Sequence, residues 1–190
     1  MVVNTVADGL SISPTPVKEA MNRLVAEGLL ETLPRRGFMV KQLTIEEVRD
    51  VMNCRMMMEI FASNPAVQNF NKHPDIQKRM LETLNKLETI QPEDYVKASQ
   101  LEQIFHFSIV ELAENQKLSE LYNMLFGISI AFHVYASSKH PMEQLDDAKN
   151  EHRLMYLSLE EGNAEKLEEL LRVHLVRTMK IYETFLPHVY

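Results

Sequence analysis

The chain has 190 residues, a mass of 22.1 kDa and a formal net charge of −7. This length fits one domain with a small appendage, and a hydrophobic fraction of 45% excludes a wholly disordered chain. A single cysteine excludes an intrachain disulfide, no signal peptide is visible, and the longest apolar run, residues 124–132, is too short to span a bilayer. Five glycines and twelve methionines favour a mostly α fold. We therefore expect a cytoplasmic, mostly α protein with no membrane partner.

Charge is unevenly distributed along the chain. Residues 1–45 carry a net charge of +1, whereas residues 46–190 carry −8. Because an acidic body repels a polyanion, any contact with nucleic acid is expected to be confined to the N-terminal segment.

The N-terminal segment has the pattern of two helices followed by a hairpin. A short helix is predicted over residues 6–10, and Ser13 is the expected N-cap of a second helix that runs to about Glu27. Two strands, residues 29–33 and 38–43, flank a turn at residues 34–37. This order predicts a winged helix-turn-helix over residues 1–43, although an ordinary helix-plus-hairpin packing unit fits the same pattern.

The string SISPTPVKEAMNRLVAEGLLETLPRRGFMV closely resembles the recognition-helix and wing signature of GntR-type bacterial transcription regulators. The resemblance covers residues 6–43 and implies operator DNA as a partner. It implies that three residues of the second helix face DNA and that three others form the wing tip, namely Ser13, Thr15 and Lys18, and Arg35, Arg36 and Gly37.

Two departures from that family pattern stand out. The family has arginine where this chain has Pro14 and again where it has Lys18, and lysine lacks the bidentate geometry of arginine. The family's winged domain also starts with a further helix, which is missing here, so we expect a truncated domain. Without that helix the following apolar side chains should lose a cover: Val6, Leu10, Val17 and Met21.

The remainder, residues 44–190, is predicted to form an antiparallel bundle of six amphipathic helices joined by short links. Thr44 and Glu47 form a capping box at the start of the first helix, and Pro65 marks its end region. The fourth helix is apolar nearly all round and is therefore expected to be central. The six helices are expected from Thr44 to about Pro65, from Pro74, from about Pro92 to residues 114–115, over residues 117–137, from Pro141 to Gly162, and from Asn163 through Phe185.

Two histidines are predicted to face each other across the last helical hairpin. His152 falls in the apolar register of the fifth helix and His174 in that of the sixth. His152 lies ten residues before Gly162, and His174 lies eleven after Asn163. With a rise of about 1.5 Å per residue, both rings should lie at nearly the same height above the turn.

A third histidine, His106, lies one helical turn after Glu102, so the two side chains share a face of the third helix. Three imidazoles and one carboxylate that converge inside a bundle would form a transition-metal site. Hydrogen-bonded core histidines and an exposed ion pair between Glu102 and His106 are the alternatives.

The strings LEQIFHFSIVELAENQKLSELY and EHRLMYLSLEEGNAEKLEELLRVH resemble the FCD effector domain of the FadR-like branch of GntR regulators. This resemblance covers about residues 45–185. It implies that His106, His152 and His174 are metal ligands and that Glu102 takes the place of the usual aspartate. It also implies zinc or nickel as the metal, with an organic acid completing the coordination shell.

Arg55 matches an arginine in the first helix of that effector domain, and Glu59 lies one turn further on. A guanidinium facing the cavity would bind a carboxylate effector bidentately. An intrahelical ion pair between Arg55 and Glu59 is an equally good interpretation. The neighbouring residues 56–58, all methionine, fit core and dimer packing better than metal ligation.

These features predict a metabolite-responsive transcription regulator, not an enzyme, that acts as a homodimer on a palindromic operator and binds a small carboxylate through metal and Arg55. A metal-dependent hydrolase is the first alternative, because three histidines and a carboxylate can activate water. A partner that cannot bind DNA itself and dimerises with a longer regulator is the second.

Overall fold

The computed structural model describes residues 1–42, 44–91, 93–139 and 145–185. The chain divides into two compact units, Met1–Leu43 and Thr44–Tyr190. Most of the described residues are helical, and a two-stranded sheet lies in the first unit, so the predicted mostly α fold is confirmed. Among the described helices, none combines the length and the apolar character that a membrane span requires.

The first unit has the layout of a winged helix-turn-helix. Its elements are α1 (Val3–Leu10), α2 (Pro14–Ala26), β1 (Leu30–Leu33) and β2 (Gly37–Val40). The strands are antiparallel, with Leu30 opposite Val40 and Leu33 opposite Gly37. Apolar side chains from both helices and both strands form a small core: Ala7, Val17, Met21, Leu30 and Phe38.

Several boundaries and contacts in this unit differ from the prediction. Helix α1 begins three residues earlier than expected, and β2 ends at Val40, where it lies opposite Leu30, the first residue of β1. Ser13 occupies the N-cap position, but its side chain makes no capping hydrogen bond. The expected loss of cover is wrong for Val17 and Met21, which the hairpin and α1 bury, whereas Leu10 is 62% exposed.

The second unit contains six α-helices in its described residues and one short 3-10 turn, Phe70–Lys72, after the first of them. Its core cluster draws side chains from all six helices, among them Phe105, Ile109, Met155 and Leu171. The helices are α3 (Ile45–Asn69), α4 (Pro74–Thr89), α5 (Tyr95–Glu111), α6 (Gln116–Lys139), α7 (Leu145–Glu160) and α8 (Ala164–Phe185).

Helix α3 begins as predicted and ends later than predicted. The hydroxyl of Thr44 accepts a hydrogen bond from the Glu47 amide, and the Glu47 carboxylate accepts one from the Thr44 amide, both at 3.2 Å. Pro65, expected near the end, lies inside the helix. Proline removes the bond to the carbonyl four residues earlier, that of Phe61, and Phe61 is exposed, so water can hydrate this carbonyl.

Helix α6 is less buried than a central helix would be. Among its described side chains Tyr122 and Phe132 are buried, but Leu121 is 44% and Met124 is 66% exposed. The starts predicted at Pro92 and at Pro141 lie outside the described residues. In the described residues α5 begins at Tyr95 and α7 at Leu145.

The turn between α7 and α8 has the predicted chemistry. Gly162 takes the left-handed conformation (φ 72°), and the Asn163 amide donates to the Ser158 carbonyl at 2.9 Å, which closes the C-terminus of α7. The Asn163 side chain then accepts from the Lys166 amide at 3.0 Å and caps α8. This turn makes α7 and α8 a hairpin and fixes the relative height of their side chains.

Candidate functional site

The structure brings the four predicted ligand residues together inside the second unit. Glu102 and His106 come from α5, His152 from α7 and His174 from α8, and each is at most 4% exposed. One ligand atom from each lies within 4.8 Å of the others. The rings of His152 and His174 have centroids 4.6 Å apart, in keeping with equal heights on the hairpin.

Three of the distances between the ligand atoms match those around a single metal ion. His106 Nε2 lies 3.1 Å from His152 Nε2 and 3.2 Å from His174 Nε2, and Glu102 Oε2 lies 3.1 Å from His152 Nε2. Two metal–nitrogen bonds of about 2.0–2.1 Å, at angles between 90° and 109°, separate the nitrogens by ~2.8–3.4 Å. A cation between imidazole nitrogens this close would be bound by their lone pairs. The donor set therefore fits a transition-metal ion.

Glu102 is the carboxylate of this group, and its surroundings disfavour a bare charge. Burial raises the pKa of Glu102 to about 8, although the charges of Arg55 and Arg177 act to lower it. Its Oε1 atom is buried and has no hydrogen-bond partner among the described residues. A buried ionised carboxylate is costly unless a cation or hydrogen-bond donors compensate it. A metal ion would supply that compensation.

The predicted effector residue Arg55 is buried, at 3% exposure, and its Nε donates to Glu59 Oε1 at 3.0 Å. The ion pair that the sequence allowed is thus formed, but in the core and not at the surface. Its guanidinium carbon lies 6.0 Å from the centroid of the Tyr122 ring, and the Tyr122 hydroxyl donates to Glu59 Oε1 at 2.7 Å. The arginine therefore lies in a polar network next to the histidine cluster.

Glu59 also belongs to the site, although the sequence analysis did not predict it there. Its Oε2 lies 2.7 Å from His106 Nδ1, and the carboxylate is fully buried. Burial acts to raise the pKa of Glu59, but its interactions with His106 and Arg55 outweigh it and hold the pKa at about 2. The i, i+4 spacing from Arg55 was the only sequence signal, and it did not point to His106.

Glu151 is a second such component. Its Oε2 lies 2.7 Å from His174 Nδ1, and Arg177 donates to both of its oxygens, at 3.1 and 2.6 Å. Burial lowers the pKa of His174 to about 4 even though the bond to Glu151 acts to raise it, so the ring is neutral at pH 7, as metal binding requires. Neighbouring helical residues point about 100° apart, so Glu151 supports His174 while His152 beside it points into the cluster.

The predicted DNA-facing residues lie on the surface of the first unit. Ser13, Thr15 and Lys18 are exposed at the start of α2. Arg35 and Arg36 are exposed in the turn between the strands, where the Arg36 amide donates to the Leu33 carbonyl at 3.0 Å. In this turn Arg35 takes a left-handed conformation (φ 61°).

Gly37 closes the same turn and begins β2 with φ 95°, a conformation that L side chains rarely adopt. A Cβ at this position would also collide with the backbone carbonyl oxygen of Met1. Glycine is therefore required here for the wing to form.

Comparisons with protein families cover both units. The model described as bacterial regulatory proteins, gntR family, matches residues 1–40, and the FCD domain model matches residues 50–177. A probable D-xylose utilization operon transcriptional repressor of Paenarthrobacter nicotinovorans is 33% identical over 171 residues, which are 90% of this chain and 73% of that protein. The HTH-type transcriptional regulator McbR of Escherichia coli strain K12 is 25% identical over 157 residues, 82% of this chain and 70% of McbR.

Solved structures share the fold. Escherichia coli McbR/YncC superposes with a TM-score of 0.84 at 21% identity, covering 97% of this chain and 86% of that one. A putative GntR transcriptional regulator from Rhodococcus sp. RHA1 gives a TM-score of 0.73 at 20% identity, covering 95% and 85%.

Proposed function

This chain belongs to the GntR family of bacterial regulatory proteins, in the FadR-like branch with an FCD domain, and on this basis we propose that it senses an organic acid through a buried metal ion. It is a DNA-binding transcription regulator, and the hydrolase alternative is wrong because its relatives are transcriptional regulators. The observation that carries the sensing proposal is the buried group of four ligand atoms within 4.8 Å of one another.

In this proposal Glu102, His106, His152 and His174 hold one zinc or nickel ion. The ion, when bound, supplies a Lewis-acid position at which a carboxylate oxygen can coordinate. Three protein nitrogens and one carboxylate leave coordination positions open on an ion that accepts five or six ligands.

The charges around the site support an anionic ligand. A divalent ion with Arg55 and Arg177 brings four positive charges, and ionised Glu102, Glu59 and Glu151 bring three negative ones. A buried surplus of one positive charge favours a monoanion, because uncompensated buried charge is costly. The Nε of Arg55 is engaged by Glu59, so its terminal nitrogens are the donors that would meet a carboxylate. The effector we propose is therefore a small monocarboxylate.

The DNA contacts we propose are those of the first unit. Ser13 at the N-cap of α2 and Thr15 and Lys18 within it face the major groove, and Arg35 and Arg36 contact phosphates from the wing. A homodimer with two-fold symmetry would present two such units to a palindromic operator in the cytoplasm. The effector acts by binding the DNA-competent and DNA-incompetent arrangements of that dimer with different affinity.

Operator binding measured against acid and metal together tests the proposal. Duplexes are selected from a random pool by the zinc-loaded protein, and the affinity for the selected duplex is measured by fluorescence anisotropy with a panel of mono- and dicarboxylic acids. We expect one monocarboxylate to change DNA affinity by about 5–150-fold in the wild type. We expect no response in His152→Ala, and a full response in His73→Ala, whose histidine pairs with Glu114 at the surface.

Two results would contradict the proposal. If no duplex is selected, the proposal that this chain alone binds DNA fails, and mixed-dimer pull-down then tests a role as dimerisation partner. If the acid acts equally on the wild type and on folded His152→Ala, the histidine cluster is not the sensor.

A further inference from the structure

Two chains of charge, one buried and one partly exposed, lead from arginine through glutamate to a histidine of the cluster. In the first, Arg55 Nε donates to Glu59 Oε1 at 3.0 Å, and Glu59 Oε2 meets His106 Nδ1 at 2.7 Å. Glu59 lies on α3 and His106 on α5, so the contact joins two helices. The Tyr122 hydroxyl gives Glu59 a further hydrogen bond at 2.7 Å, and the carboxylate is fully buried.

The second chain has the same order on different helices. Arg177 of α8 donates to both oxygens of Glu151 of α7, and Glu151 Oε2 meets His174 Nδ1 at 2.7 Å. This contact crosses the α7–α8 hairpin, as the first crosses from α3 to α5. Two separate pairs of helices thus produce the same arrangement around one cluster.

We propose that Glu59 and Glu151 are positioning residues that fix His106 and His174 in the tautomer with hydrogen on Nδ1, and that Arg55 and Arg177 hold these carboxylates in place. An ionised carboxylate only accepts hydrogen bonds, so the nitrogen that faces it must carry the hydrogen. The other nitrogen, Nε2, is then left with its lone pair. In both rings it is Nε2 that points at the neighbouring ligand atoms, 3.2 Å apart.

This inference rests on the proposed metal site but makes a separate claim about it. Hydrogen bonds from ligand histidines to carboxylates raise the basicity of the metal-binding nitrogen and fix the orientation of the ring. An arginine partner keeps the carboxylate ionised and limits its rotation, since a paired guanidinium occupies its outer oxygen. The cluster would therefore be pre-organised before any metal arrives.

The first test reads the tautomers in the full-length protein without metal. Two-bond nitrogen–proton correlation NMR in the presence of a chelator distinguishes hydrogen on Nδ1 from hydrogen on Nε2. We expect both His106 and His174 to carry hydrogen on Nδ1. In Glu151→Gln, His174 should lose this fixed tautomer, because an amide can donate to Nδ1 as well as accept from it. His174 with hydrogen on Nε2 in the wild type overturns the proposal.

The second test measures zinc affinity by competition with a chromophoric chelator. We expect Glu59→Gln and Glu151→Gln each to weaken zinc binding by about 10–100-fold. Glu114→Gln is the matched control, because it changes another glutamate–histidine pair, at 2.8 Å from His73, that lies at the surface. The control should bind zinc as the wild type does.

The outcomes separate the two proposals. Glu59→Gln leaves Arg55 buried with a neutral partner and can fail to fold. Glu151 and Arg177 are partly exposed, so Glu151→Gln is the variant that decides whether these carboxylates have a positioning role. Zinc affinity of folded Glu151→Gln within twofold of the wild type overturns the positioning role. A wild type that binds no zinc overturns the metal site, and the tautomer measurement still decides the role of Glu151.

Discussion

Replacement of Glu102 by glutamine should stabilise the metal-free protein. The carboxyl pKa of 4.5 in an exposed chain rises to about 8 in the fold because the side chain is buried. Each pH unit between these values is worth 1.36 kcal/mol, so at pH 7 the buried carboxyl costs the fold about 3 kcal/mol. Glu102→Gln removes this cost, and the melting temperature should rise by ~6–12 °C.

The pH dependence has a defined sign. Because the pKa of Glu102 is higher in the folded than in the unfolded protein, the wild-type fold loses stability as pH rises above the unfolded pKa. Below about pH 4.5 the carboxyl is protonated in both states, so the variant and the wild type should be equally stable there. The difference should grow from there to pH 8 and stay constant above it. Urea unfolding of the full chain in a chelator, at several pH values, measures this difference.

Glu151→Gln is the control of opposite sign. Burial acts to raise the pKa of Glu151, but hydrogen bonds from His174 and Arg177 hold it at about 2, so its loss should destabilise the fold at neutral pH. Excess zinc should reverse the higher stability of Glu102→Gln, because the wild type has the Glu102 carboxylate as a fourth ligand for the ion and the variant does not. Glu102→Gln no more stable than the wild type in chelator at pH 7 would refute the reasoning.

Three further outcomes are expected. Zinc at 100 times its dissociation constant should stabilise the wild type by about 2.7 kcal/mol, which raises the melting temperature measured by calorimetry by ~5–11 °C. A chelator should abolish this rise, and an unchanged melting temperature in zinc would contradict the metal site. The Phe105 ring is fully buried and packs on the His152 ring, with centroids 4.9 Å apart, so Phe105→Ala should lower the free energy of unfolding in urea by about 3–5 kcal/mol. Phe61 is 62% exposed, so Phe61→Ala should change it by no more than about 0.5 kcal/mol. Equal losses in the two variants would contradict the packing. Arg36→Ala should weaken binding to every duplex and lower the salt slope by about 1, and an unchanged slope would exclude a phosphate contact from the wing.

Local signals in the sequence were enough to place the helices and to align the histidines. The Thr44–Glu47 box and the Gly162–Asn163 turn depend on neighbouring residues only, and both were predicted correctly. Because the turn fixes the height of both helices, counting residues was enough to expect His152 and His174 at the same level.

The contacts that the sequence could not predict are those that depend on the angles between helices. The contacts of Glu59 with His106 and of Glu151 with His174 span 47 and 23 residues, and no spacing rule links such pairs. The angles between helices also decide which stripe of a helix is buried: on α8 the buried positions include 171, 175 and 182. Only the packed structure shows which side of each helix faces the cluster.

Metal content is the most direct measurement of the central claim, that four side chains from three helices bind one ion. The full-length protein, purified without a histidine tag and dialysed against zinc or nickel, is analysed by inductively coupled plasma mass spectrometry. We predict one ion per chain, retained on gel filtration and lost in His174→Ala but not in His73→Ala. Folded wild-type protein that retains no ion, or equal metal content in His174→Ala, would contradict the account.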